Sequence, residues 1–231
     1  MGVSLDDYDF DLPEARIAQY PAGSRSASRL LVWEPAGSFA HRNFADLVDL
    51  VRSGDLLVLN DTRVFAARLF GRKIEGEVRV EILLVQPGAE GWEALVRPGR
   101  RLPPGTRVEL DGGVTVTVGE PVGEGLRRVD LPVDLDVFEH CATHGHVPLP
   151  PYIDRADEPI DRERYQTVFA RDMGSVAAPT AGLHFDEHLL QVLEERGVRS
   201  ARVTLHVGPG TFRPVEPHQL AQGQLHPEWR Q

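Results

Sequence analysis

The chain has 231 residues, 41% of them hydrophobic, and a formal net charge of −10. That is enough apolar content for one large or two modest domains, and too little positive charge overall for a general polyanion binder. Met1 to Asp11 is acidic and lacks a leader pattern, and no apolar run is long enough to span a bilayer, so a cytoplasmic protein with no membrane partner is expected. Cys141 is the only cysteine, which excludes an internal disulfide, argues against a cysteine metal site and suggests a buried, inert thiol.

The first recognisable element is Leu12 to Gln19, where a proline in the first turn predicts a short helix, ended by Pro21. A polar loop then leads into a brief strand, Leu30 to Trp33. Phe44, Leu47, Val48 and Val51 have helical spacing, and Ser53-Gly54-Asp55 stops them. The unalternating run Leu56 to Leu59 reads as a strand covered on both faces. Its polar end, Asn60-Asp61-Thr62-Arg63, is either a site or an ordinary turn.

From Ala66 the pattern changes to short strands without helices: Arg68 to Ile74, Val78 to Val85, Trp92 to Val96, Arg107 to Leu110, Val114 to Val118 and Leu126 to Leu131. With Asp111-Gly112-Gly113 as a hairpin signal, they predict a small closed antiparallel β-barrel inserted at 66–132 into an α/β domain made of 1–65 and 133–231. Charge follows the same division: residues 61–110 carry +2, while 1–60 carry −4 and 111–160 carry −7. Arg97, Arg100 and Arg101 gather at one turn, either a phosphate-contacting loop or a solvated basic turn.

Val133 to His144 predicts a helix, and the proline-rich segment Gly145 to Ile153 must run extended, offering Tyr152 as a stacking ring. Arg162 to Ala170 brings Tyr165, Gln166 and Phe169 up to the small-residue stretch Gly174 to Phe185. Its glycines and hydroxyls suit close approach to a ligand, and it ends at Asp186, an N-cap for an amphipathic helix carrying Leu189, Leu190 and Leu193. His184 would stand just before that helix. Val198 to Val207 alternates as a strand, with Val203, Leu205 and Val207 on one face and Thr204 and His206 on the other, and runs into Gly208-Pro209-Gly210-Thr211-Phe212. The expectation is that the two histidine corners enclose one cavity.

Several of these motifs, above all Asn60-Asp61-Thr62-Arg63-Val64, Pro148 to Ile153, Arg164 to Val168, Ala178 to Phe185 and Val203 to Val215, resemble in order and spacing the S-adenosylmethionine:tRNA ribosyltransferase-isomerase family of queuosine biosynthesis. The resemblance covers nearly the whole chain. It implies transfer and isomerisation of the ribosyl group of S-adenosylmethionine onto the 7-aminomethyl-7-deazaguanine wobble base of tRNA. The tRNA anticodon stem-loop and S-adenosylmethionine would be the partners of a monomer, with no metal and no cofactor beyond that co-substrate.

The candidate base, which takes a proton from carbon beside the sulfonium, is His184, His206 or Asp61. Substrate contacts are expected from Asn60, Thr62, Arg63, Arg97, Tyr152, Tyr165, Gln166, Thr180, Ala181, Gly182, Phe185, Gly208, Gly210, Thr211 and Phe212, with Phe185, Tyr152 or Phe212 stacking on a base. Family members continue past the motif at His218 to Glu228, so the α/β domain is expected to be incomplete. An inactive truncated relative that binds RNA or S-adenosylmethionine is the competing reading.

Overall fold

A computed structural model describes residues 5–34, 37–215, 217–223 and 229–230, so the second half of the motif at 218–228, residues 224–228, lies outside the described residues. In chain order the strands are β1 (Arg29–Trp33), β2 (Phe39–Asn43), β3 (Leu56–Asn60), β4 (Thr62–Val64), β5 (Arg68–Lys73), β6 (Arg79–Pro87), β7 (Trp92–Arg97), β8 (Thr106–Leu110), β9 (Thr115–Gly123), β10 (Leu126–Asp130), β11 (Asp172–Ser175), β12 (Arg199–Val203), β13 (Leu205–His206) and β14 (Trp229–Arg230). The α-helices are α1 (Leu47–Leu50), α2 (Val137–His144), α3 (Asp161–Arg164), α4 (Glu187–Glu195) and α5 (Pro217–Gln222).

Strands β5 to β10 close an antiparallel barrel in the order β10-β7-β6-β5-β8-β9. Alternation decides what it buries: Leu69, Val80, Ile82, Leu84, Ala94, Val108, Val116, Val118 and Val129 all point inward and are almost wholly hidden. The predicted hairpin lies between β8 and β9, where Gly112 and Gly113 both take positive φ, at 90° and 79°. One end is plugged by α2, whose Phe138 meets Phe65 at 5.3 Å and Trp92 at 5.9 Å between ring centroids. Cys141 on the same helix is fully buried, and burial pushes its thiol up to about 12.

The α/β part holds two short parallel pairs, β3 with β12 and β4 with β11, instead of one continuous sheet. Helix α4 starts at Asp186, whose carboxylate accepts from the Leu189 N–H, and its buried Leu189 and Leu193 pack with Leu59, Phe169, Phe185 and Val198.

Four sequence expectations change. The predicted Leu12–Gln19 helix is only a 3-10 turn at Glu14–Arg16, and the helix expected from Val133 begins at Val137, capped by Asp136. The strand expected over 198–207 breaks at Thr204 into β12 and β13. Strand β3 is covered on one face alone among the described residues: Leu57 and Leu59 pack on the α4 side, while Leu56 and Val58 are 53% and 57% exposed.

Gly145, at the end of α2, is the tightest seam between barrel and α/β part, since an added Cβ would lie 2.0 Å from the Ala66 carbonyl oxygen and 2.6 Å from that of Cys141. Gly145→Ala is expected to cost about 2–3 kcal/mol of stability, read as a lowered urea midpoint at unchanged slope, because backbone cannot yield as a side chain can.

Candidate functional site

The two parallel pairs meet at a shared break. Asp61 separates β3 from β4, Thr204 separates β12 from β13, and the two residues face each other. Asp61 is fully buried: its N–H donates to the Val203 carbonyl, its own carbonyl accepts from the Arg171 N–H at 2.7 Å, and its carboxylate accepts from the Thr204 hydroxyl at 2.7 Å. Asn60 bridges the same break. Its side-chain oxygen accepts from the N–H groups of Thr62 and Leu205, and its amide donates to the Leu205 carbonyl. The Asn60 amide is therefore occupied with holding backbone, while the Asp61 carboxylate meets the side chains of Thr204 and, at 3.5 Å, Arg171.

Across the break, Thr204 and His206 turn inward while Val203 and Leu205 are 40% and 43% exposed, so the polar face of this segment is the inner one. The inversion follows from the partners waiting inside. Thr62 bonds His206 Nδ1 through its hydroxyl at 2.7 Å, and Gly174 lies flat against the ring, where a Cβ would come within 2.7 Å of Cε1. Asp172, one turn of the β11 pleat before Gly174, pairs in register with Thr62 and accepts from the Thr204 hydroxyl at 3.3 Å and from Arg171 at 2.9 Å.

Burial lowers the pKa of His206 and the Asp172 charge partly restores it, leaving a neutral imidazole at pH 7. Arg171, first, and then Thr204 and His206 hold the Asp172 carboxyl below the usual range.

His206 lines a cleft of about 370 Å³ together with Gly208, Pro209 and Gly210 on one side and the β9–β10 hairpin tip, Val122 to Glu124, on the other. A second cleft of about 390 Å³ lies on the far side of the same glycine loop, sharing Pro209 and Arg213 and containing Arg68, Arg97 and Phe212. Tyr152 meets the Phe212 ring edge-on at 6.4 Å. Tyr152, Tyr165 and Thr180 also line a smaller apolar hollow of about 210 Å³. Arg63, Tyr165 and Gln166 border another hollow, but Gln166 is committed to the Val64 N–H and carbonyl, which its side chain spans like a missing strand residue.

Among the described residues the two histidine corners expected to share a cavity stand in different surroundings, and His206 lines a cleft whose lining does not include His184. His184 Nδ1 bonds the Ser28 hydroxyl at 3.0 Å and its ring packs on Phe44, whereas His206 meets Thr62 and Gly174. Phe185 is in the hydrophobic core and is not available for stacking on a base, and Gly182 is pressed against Thr167 and Phe169. Ala181 and Thr211 are exposed. Sequence reasoning did not single out Asp172, Arg171 and Arg213, which the structure sets beside these candidates. The strand alternation that sets Thr204 beside His206 was readable, but the partners from β11 depend on a parallel register between distant segments. Among the described residues no group of three or more His, Cys, Asp or Glu side chains could hold a metal ion, and no helix is long and apolar enough to cross a membrane.

Two outcomes are expected. Asp172→Asn removes the charge that supports protonation of His206, so its imidazole pKa, followed by NMR titration, should fall further, whereas a purely structural Asp172 would leave it unmoved. His140, His184 and His206 all titrate below their ordinary value because they are buried. Unfolded histidines take up protons near pH 6.5, so below that pH the unfolded state binds more protons and stability falls until the folded rings titrate. Melting temperature should stay level from pH 8 to 7 and decline towards pH 5, above the range in which the depressed Asp161, Asp172 and Asp186 carboxyls begin to protonate.

A family model described as "Queuosine biosynthesis protein" matches residues 5–231. A relative from Heliobacterium modesticaldum, named S-adenosylmethionine:tRNA ribosyltransferase-isomerase, is 48% identical over 234 residues, covering 100% of this chain and 67% of its own length. One of the same name from Azoarcus sp. is 51% identical over 229 residues, covering 99% of this chain and 66% of its own length. Another from Syntrophomonas wolfei is 48% identical, with 97% of this chain and 65% of the relative covered. The chain thus spans about two thirds of the length of these curated relatives. A crystal structure of S-adenosylmethionine tRNA ribosyltransferase from Thermotoga maritima is 30% identical and covers 87% of this chain and 58% of its own, with a TM-score of 0.35, so the fold description stands on the strand pairings alone. With a family match running from residue 5 to residue 231 and half of all positions shared with these relatives, the chain belongs to the queuosine biosynthesis protein family.

Proposed function

We propose that this chain works as an S-adenosylmethionine:tRNA ribosyltransferase-isomerase, the name its relatives carry, and that the His206 cleft is where the chemistry occurs. The single observation that supports this is a neutral, buried histidine opening on a cleft, held by Thr62 and Gly174 and rimmed by the Gly208–Gly210 backbone. The ribosyl group of S-adenosylmethionine would pass to the aminomethyl group of the tRNA wobble base and rearrange, with adenine and methionine released.

The imidazole of His206 suits the first step. A carbon bonded to sulfonium is acidified, and a neutral base takes its proton while the electron pair stays on carbon beside the positive sulfur. Asp172 keeps the base from becoming too weak, and Asp61 acts through Thr204, as a positioning residue. His184 serves the local packing of its own loop. S-adenosylmethionine enters as a co-substrate, with no separate cofactor, and the anticodon stem-loop is the part of the tRNA presented. A cytoplasmic monomer with an α/β unit formed by 1–65 and 133–231 around the barrel completes the reading.

The test incubates the 231-residue chain with S-adenosylmethionine and tRNA bearing the aminomethyl-deazaguanine base and measures free adenine. Adenine release is expected, reduced about 10²–10⁴-fold by His206→Ala and far less by His184→Ala. Equal losses in both variants would remove His206 from its role, and no release from the unaltered chain would leave it a binding protein.

A further inference from the structure

We infer that the outward face of β5, β6 and β7 and the arginine cleft it borders form the track for the phosphate backbone of the RNA, delivering the target nucleotide across the glycine loop to the His206 cleft. This rests on the tRNA reading above. Strand register assembles the surface. Arg72 on β5 lies opposite Arg79 on β6, and Glu81 on β6 lies opposite Arg97 on β7. Their neighbours Val80, Ile82 and Val96 point into the barrel, so these four side chains all point outward. Arg100 and Arg101 extend the row on the following turn, and both are exposed.

The balance of charge on this face is positive in an acidic protein. Glu81 and Glu93 are the acids on these strands' outward face; Glu81 is already paired with Arg68, at 3.3 Å, and Glu93 accepts from the Gln86 amide at 2.8 Å. Among the described residues no ion pair engages Arg72, Arg79, Arg97, Arg100 or Arg101. Like charges gathered without counter-ions repel one another, and a chain of phosphates relieves that repulsion while releasing its own counterions.

The face runs directly into a place for a base. Arg97 and Arg68 line the 390 Å³ cleft with Phe212, and Tyr152 adds a half-exposed ring beside it, the pairing of cations and stacking faces that single-stranded RNA uses. The loop Pro209–Phe212 is the wall between this cleft and that of His206, and Arg213 lines both. A nucleotide displaced over that wall moves from the phosphate track to the imidazole.

The experiment titrates the full chain with a fluorescently labelled, unmodified tRNA transcript at several salt concentrations, without S-adenosylmethionine. The unaltered protein is compared with R79A/R97A/R100A and with R42A/R52A/R199A, which removes the same charge from exposed positions on the α/β part. The barrel variant should bind at least about tenfold more weakly, and its log–log salt slope should be shallower by about two to three, while the control keeps the slope of the unaltered chain. Equal weakening in both variants, or none in either, would overturn the track while leaving tRNA as substrate. Absence of tRNA binding by the folded, unaltered chain would overturn both.

Discussion

A single buried carboxylate organises the α/β half of the molecule. Asp61 interrupts one strand where Thr204 interrupts its parallel neighbour, and the hydrogen bond between them, with the backbone links to Val203 and Arg171, holds the break open in a defined shape. A continuous strand would have carried residue 206 onward in the plane of β12. The break instead tips β13 out of that plane and lays His206 against β4 and β11. The buried carboxylate itself meets the Thr204 hydroxyl at 2.7 Å and the Arg171 guanidinium at 3.5 Å, while the main-chain groups of Asp61 bond Val203 and Arg171.

The site inherits its rigidity from that arrangement. Thr62, Asp172 and Gly174 come from two strands that are paired in register, so the ring of His206 is set by sheet geometry and not by a loop. Only the wall of the cleft, Gly208 to Phe212, is loop, and the molecule places one hollow on each side of it. The His206 cleft and the arginine cleft are therefore neighbours that share Pro209 and Arg213.

The barrel was legible almost strand by strand, because period-two alternation and glycine turns are local signals that need no knowledge of partners. His206 and Thr204 on one strand face were legible for the same reason. What could not be read was which histidine had company. Both histidines stand next to a glycine-containing segment, and only long-range pairing shows that one meets Ser28 and Phe44 and the other meets Thr62 and Gly174. Asn60 and Gln166 show another limit of local reading. Amide side chains in a polar motif suggest ligand contacts, yet here both replace missing ladder hydrogen bonds, a use that depends entirely on where the neighbouring backbone stops. The unalternating run of β3 promised cover on both faces, and the described residues supply it on one.

The barrel is written as one uninterrupted stretch, whereas the bond that organises the other half joins residues 143 positions apart. During synthesis the barrel strands leave the ribosome together and can close at once, while β3 must wait until α4 and β12 have followed. By then the closed barrel has drawn the ends of its segment together, shortening the effective loop that separates Asp61 from Thr204 and lowering the entropic cost of their meeting. The inserted unit thus acts as a clamp on nascent chain, preparing the junction it does not itself belong to.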